Sequence, residues 1–186
     1  MTAFDIWHSR ISGLKVIERK PIVDARGFLE RMYCDSELEE ILGGRKVKQI
    51  NRSLTRQTGT VRGLHFQRAP NAEMKLVSCM RGEVFDVAVD LRLGSPTFLK
   101  WHGEVLGESN RRTLVIPEGF AHGFQALSAD CELLYLHTAE YVREAEGGFN
   151  AADPGLGISW PLPFADQSNR DEQLPFVSDG FKGITA

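Results

Sequence analysis

The segment Arg62-Gly63-Leu64-His65-Phe66-Gln67 sets an imidazole between two large apolar residues. Strand alternation puts Leu64 and Phe66 on one face and Gly63, His65 and Gln67 on the other. On the wall of a partly dry pocket, an imidazole suits a general base because its charge changes near neutral pH. A core histidine satisfied by a hydrogen bond is the commoner outcome for such a segment. Arg62 has the opposite parity, so it shares a wall with His65 only if the strand bends, with Gly63 the place for the bend. Lys75, in Met74-Lys75-Leu76-Val77, is a cation among apolar neighbours. A lysine there either snorkels to water at a sheet edge or steadies a developing oxyanion in a pocket. Tyr135, in Leu133-Leu134-Tyr135-Leu136, is by default a packing residue, although a phenol also serves as a proton donor. Tyr141 follows the same strand and could stack on a base or stand as an ordinary surface tyrosine. Asp171, in Ser168-Asn169-Arg170-Asp171, reads by itself as a solvated loop charge, and His8, His102 and His137 have no partner pattern.

The turn Pro117-Glu118-Gly119-Phe120-Ala121-His122 resembles the second half of a cupin signature. Metal-binding cupins also carry an earlier His-x-His pair with a following Glu, and here that place holds His65-Phe66-Gln67. Two separated histidines without a third ligand make a poor transition-metal site, so no metal is expected. His122 then reads as a pocket residue facing a phosphate or a carbonyl, or as a structural histidine of the turn.

Strands must position these groups. Glu83–Leu91 alternates Phe85, Val87, Val89 and Leu91 with Asp86, Ala88 and Asp90, which predicts a strand with one apolar face. Lys15–Arg19, Val61–Gln67, Met74–Met80, Trp101–Leu106, Thr113–Ile116 and Glu132–His137 read similarly, punctuated by turns such as Arg81-Gly82 and Gly94-Ser95-Pro96. Many short strands predict a mainly-β sandwich, jelly roll or barrel. One helix is predicted from Asp35 to about Leu42, with Ser36 and Glu39 as a capping box, Leu38, Ile41 and Leu42 as its apolar stripe, and Gly43-Gly44 as its stop. The 186 residues show no repeat or linker, so one domain over 1–186 is expected. A net charge of -3, from 22 basic and 25 acidic residues, argues against a nucleic-acid or anionic-membrane surface. Cys34, Cys79 and Cys131 are odd in number and widely spaced, as free thiols of a reducing cytosol would be. No apolar stretch approaches the ~20 residues of a membrane span, so a soluble, cytoplasmic protein is expected.

From about Leu14 to Pro175 the chain resembles the dTDP-4-dehydrorhamnose 3,5-epimerase family. The resemblance rests on Asp24-Ala25-Arg26-Gly27-Phe28, the His65 segment, Lys75-Leu76-Val77, Gly82 to Asp90, Ser95-Pro96-Thr97-Phe98, and Ile116 to Phe124. It implies a cupin-type jelly roll, a homodimer that exchanges an N-terminal strand carrying Arg26, and cofactor-free epimerisation at C3, C5 or both, beside the C4 ketone of a nucleotide-linked 4-keto-6-deoxy sugar. It further implies that His65 is the base, oriented by Asp171, that Tyr135 is the acid, and that Lys75 steadies the enolate. Arg26, Gln49, Asn51, Arg62, His122 and Glu146 resemble substrate-binding positions, with Tyr141 where the family stacks an aromatic on the nucleobase. Arg31 and Glu140 depart from the common family pattern. The alternatives are a 3-only or 5-only epimerase on another nucleotide sugar, a metal-dependent cupin, or a non-catalytic sugar-nucleotide-binding module.

Overall fold

The computed structural model describes residues 2–185. In chain order the strands are β1 (Phe4–His8), β2 (Lys15–Arg19), β3 (Ile22–Asp24), β4 (Gly27–Leu29), β5 (Gln49–Thr55), β6 (Val61–Gln67), β7 (Lys75–Arg81), β8 (Glu83–Asp90), β9 (Trp101–Gly107), β10 (Arg112–Ile116), β11 (Phe120–Ala126), β12 (Cys131–His137) and β13 (Glu146–Gly148). Helices α1 (Glu39–Leu42) and α2 (Asn169–Glu172) are single turns. A six-stranded sheet, ordered β1-β2-β10-β7-β12-β5, faces a five-stranded sheet, ordered β13-β6-β11-β8-β9. The paired strands in both sheets run antiparallel, giving the cupin-type jelly roll. Among the described residues no helix is long and apolar enough to cross a membrane.

Alternation along each strand divides the apolar residues into three layers. Val77, Leu114 and Leu133 of one sheet meet Val84, Ala88 and Phe124 of the other between the sheets. Leu64, Phe66, Val87 and Val89 point away from that core and pack under the C-terminal segment, against Phe149, Trp160 and Phe181. Leu76, Val115 and Leu136 cover the outer face of the larger sheet together with Leu38, Ile41 and Leu42 around α1.

The seven predicted strands are present, with β7 starting at Lys75 in place of Met74. Strand β8 is not solvent-facing on its second face: Val84, Asp86 and Ala88 look into the space between the sheets and are fully buried. Strand β11 escaped prediction because every one of its residues is buried, which removes the alternation that would mark it. The predicted helix shrinks to α1. Its N-cap is Leu38, without a side-chain cap, and Ser36 pairs instead with Cys34 Sγ at 3.3 Å. The predicted stop holds, with Gly43 in the left-handed region at φ 56°.

One irregularity in the smaller sheet shapes the pocket wall. Across β6 and β11, His65 stands opposite His122 and Arg62 opposite Phe124, so Gly63 and Leu64 together face Gly123. That extra residue in β6 is a bulge, and it reverses side-chain parity between Arg62 and His65. Gly63 has φ +116°, and a Cβ there would lie 2.6 Å from Gly123 Cα and 2.7 Å from the His122 carbonyl oxygen. Gly63→Ala is therefore expected to destabilise the fold by about 2–4 kcal/mol through clash and left-handed strain. The midpoint of urea unfolding measures this, and an unchanged midpoint would contradict the close packing at this crossing.

Candidate active site

A cavity of about 560 Å³ opens between the sheets beside the apolar core. The smaller sheet contributes Arg62 and His65 from β6 and His122 from β11 to its wall, and the larger sheet contributes Lys75 from β7 and Tyr135 and His137 from β12. Asn51 and Ser53 come from β5, and Asp171 from α2.

His65 Nε2 lies 2.8 Å from Asp171 Oδ1, and the Gly63 N–H donates to Asp171 Oδ2 at 3.1 Å. The Asp171 side chain is 6% exposed, against 33% for His65, so the carboxylate sits behind the ring. Ser168 caps α2 by accepting from the Asp171 N–H at 3.1 Å, which places this carboxylate at the helix start. Asp171 is thus a buried partner of the pocket and not a solvated loop charge. Burial works to raise its carboxyl, but the His65 ring, the Gly63 N–H and Ser168 outweigh it and hold the group below the usual carboxylate range. An ionised carboxylate only accepts, so Nε2 of the neutral imidazole carries the proton and Nδ1 keeps the lone pair.

A second histidine–carboxylate pair lies on the neighbouring strands, with His122 Nε2 2.8 Å from Asp86 Oδ1. Burial pushes the Asp86 carboxyl up, with His122 pulling the other way. Across the cavity, Lys75 Nζ lies 2.6 Å from Glu73 Oε1, and His137 Nδ1 lies 3.0 Å from Glu73 Oε2. The Tyr135 hydroxyl is 3.1 Å from Ser53 Oγ, and its ring stacks on His137 at 6.0 Å and meets His122 edge-on at 6.2 Å. Desolvation pushes the Tyr135 phenol above its ordinary value, so it stays a neutral donor.

The rim is polar. Arg62 donates to Thr55 Oγ1 at 3.1 Å and to the Leu54 carbonyl at 3.2 Å. Tyr141 donates its hydroxyl to Glu146 Oε2 at 2.7 Å, and Arg170 pairs with the same carboxylate. Asn51 Nδ2 lies 3.5 Å from His137 Nε2. Two of the predicted binding residues lie off this wall. Gln49 does not line the cavity; its side-chain oxygen accepts from the Tyr141 N–H at 3.0 Å and so holds the rim. Arg26 sits in the exposed β3–β4 hairpin, paired with Asp24 at 2.6 Å, and does not reach the cavity of its own chain.

Sequence reasoning passed over Glu73, Asp86 and His137. Glu73 shares parity with Lys75 two residues on, and Asp86 shares it with the core residues Val84 and Ala88. An acid in an alternating strand looks solvent-facing until its face is assigned. Among the described residues no three His, Cys, Asp or Glu side chains converge as metal ligands. The arrangement can take a proton from one side of a flat ligand with His65 and return one from the opposite sheet with Tyr135, while Lys75 offsets negative charge between them.

Residues 8–179 match the family model for dTDP-4-dehydrorhamnose 3,5-epimerase. The dTDP-4-dehydrorhamnose 3,5-epimerase of Salmonella typhimurium is 45% identical over 170 residues, covering 90% of this chain and 92% of its own. The structure of a Legionella pneumophila Philadelphia 1 dTDP-6-deoxy-D-glucose-3,5-epimerase in complex with dTDP-4-keto-L-rhamnose superposes with a TM-score of 0.91 at 41% identity, covering 98% of both chains. A 3'-monoepimerase from Streptomyces bikiniensis, in complex with dTDP-quinovose, superposes at 0.83 with 31% identity, covering 90% of this chain and 85% of its own. A family match over almost the whole length, on this jelly roll, places the chain in the dTDP-4-dehydrorhamnose 3,5-epimerase family.

Proposed function

We propose that this chain converts dTDP-4-dehydro-6-deoxyglucose to dTDP-4-dehydrorhamnose, inverting C3 and C5 by deprotonation and reprotonation beside the C4 ketone, without a cofactor. The observation that carries this reading is the His65–Asp171 pair on one side of the cavity with Tyr135 and Lys75 on the other. The ketone acidifies both neighbouring C–H bonds, so the protein has to supply a base, a donor on the opposite face and a cation at the enolate oxygen. His65 takes the proton while Asp171 fixes its tautomer and stabilises the imidazolium. Lys75 steadies the enolate, and the neutral Tyr135 phenol delivers the new proton. Asn51, Arg62, His122, Glu146 and Tyr141 hold the nucleotide sugar around this centre, with Tyr141 against the base. The three free cysteines fit a cytoplasmic setting.

The same reading makes the protein a homodimer. Among the described residues the β3–β4 hairpin pairs only with itself, and its Phe28 and Leu29 are 63% and 71% exposed. Such an apolar hairpin suits docking on a second copy, carrying Arg26 toward that copy's cavity.

In deuterated water the product is expected to carry deuterium at both C3 and C5; label at C3 alone would assign 3-only chemistry. His65→Asn is expected to lower exchange about 10²- to 10⁴-fold, the usual worth of a positioned base. Tyr135→Phe is expected to keep exchanging substrate hydrogen with solvent while epimer yield collapses. Normal epimerisation by either variant would overturn these roles. For the dimer, Arg26→Ala and His65→Asn chains are each expected to be nearly inactive alone. Mixing and reassembling them should restore about a quarter of the wild-type rate, because half the dimers then hold one complete site. A mixture no more active than its parents would show that Arg26 does not act across subunits.

A further inference from the structure

The Glu73 carboxylate in the cavity wall has no part in the scheme above. Glu73 lies two residues before Lys75, in the irregular stretch that leads into β7, and lines the same cavity. Its side chain is 8% exposed, and each oxygen has its own partner: Oε1 the Lys75 ammonium at 2.6 Å, Oε2 the His137 Nδ1 at 3.0 Å. Lys75 and His137 are direct cross-strand neighbours in β7 and β12. Just beyond them the Thr138 N–H donates to the Met74 carbonyl at 3.1 Å, and the Met74 N–H donates to Thr138 Oγ1 at 2.9 Å. Glu73 is therefore clasped where the two strands end.

Among the described residues Glu73 is the carboxylate paired with Lys75. Burial works to raise the Glu73 carboxyl, but His137 and Lys75 outweigh it and hold it below the usual carboxylate range. Because the carboxylate only accepts, Nδ1 is the donor nitrogen of His137, and Nε2 turns toward the Asn51 amide at 3.5 Å. That ring orientation is the one on which Tyr135 stacks, with 21° between the planes.

We propose that Glu73 is a positioning residue for the epimerisation, anchoring the Lys75 ammonium for the enolate oxygen and, through His137, the ring that backs Tyr135. The proposal rests on reading Lys75 as the group that steadies the enolate. Without Glu73 the ammonium stands in a desolvated wall with no counter-charge, and its long side chain regains rotamer freedom.

The test compares Glu73→Gln, which keeps size and one acceptor oxygen but removes the charge, with Glu73→Asp, which keeps charge. In the Gln variant kcat is expected to fall about tenfold to a hundredfold, as for other residues that orient a reacting group, with KM within about threefold of wild type. The Asp variant, which keeps the counter-charge, should lose less rate than the Gln variant. A role confined to packing would lower thermal stability in both variants and leave kcat of the folded Gln variant at the wild-type value, which overturns the proposal. Where the Gln variant does not fold, the Asp variant decides, and an unchanged kcat there overturns it equally. Lys75→Met separates the two readings. If it epimerises at the wild-type rate, the Lys75 role and this proposal fall together, whereas an inactive Lys75→Met beside a fully active Glu73→Gln sinks only the present proposal.

Discussion

The contact of Gly63 with Gly123, where two backbones pass too closely for any side chain, governs the cavity wall of the smaller sheet. The bulge it creates lets Arg62 and His65 face one space although their sequence parity is opposite. It also turns the Gly63 N–H toward Asp171, so the irregularity that would leave a buried donor unpaired instead fastens the carboxylate behind His65. Strand pairing, α2 and the histidine–carboxylate pair are therefore coupled through one backbone crossing.

Charge in the interior follows a second rule. Asp171, Asp86 and Glu73 are each desolvated, and each has a histidine, with Lys75 added at Glu73. Pairs of this kind contribute little net stability, since desolvation consumes most of the attraction. The fold is instead held by the apolar half of the same interior, where Val77, Val84, Leu114, Phe124 and Leu133 interlock, and by the layers on the two outer faces. One space between two sheets is thus divided into a part that stabilises and a part kept polar for chemistry. His122–Asp86 lies at the boundary, where Asp86 Oδ2 has no hydrogen-bond partner among the described residues.

The structure also leaves apolar surface outside any core. Ile22, Val23, Phe28 and Leu29 are exposed together on a hairpin that, among the described residues, pairs with no other strand. Other large apolar side chains, such as Ile50, Leu93 and Phe176, are exposed elsewhere, but this hairpin gathers four of them in one short segment.

Strand alternation at Lys15–Arg19, Val61–Gln67, Trp101–Leu106 and Glu132–His137 was legible in the residues themselves, because a period of two follows from local backbone geometry. His65, Lys75 and Tyr135 stood out as polar groups in apolar runs, and the ordered motifs around them carried the family. Strand β11 was hidden because its residues are buried throughout, and α1 fell short of its pattern because Ser36 bonds to Cys34 and leaves the helix uncapped. The partners of the cavity's buried groups were beyond local reading: Asp171 comes to His65 across 106 positions, and His137 to Glu73 across 64. Which face of β8 turns inward is likewise decided by the opposing sheet and not by Asp86 itself. Alternation is a property of neighbours along the chain, whereas the pairing of buried charges depends on which strands the fold brings face to face.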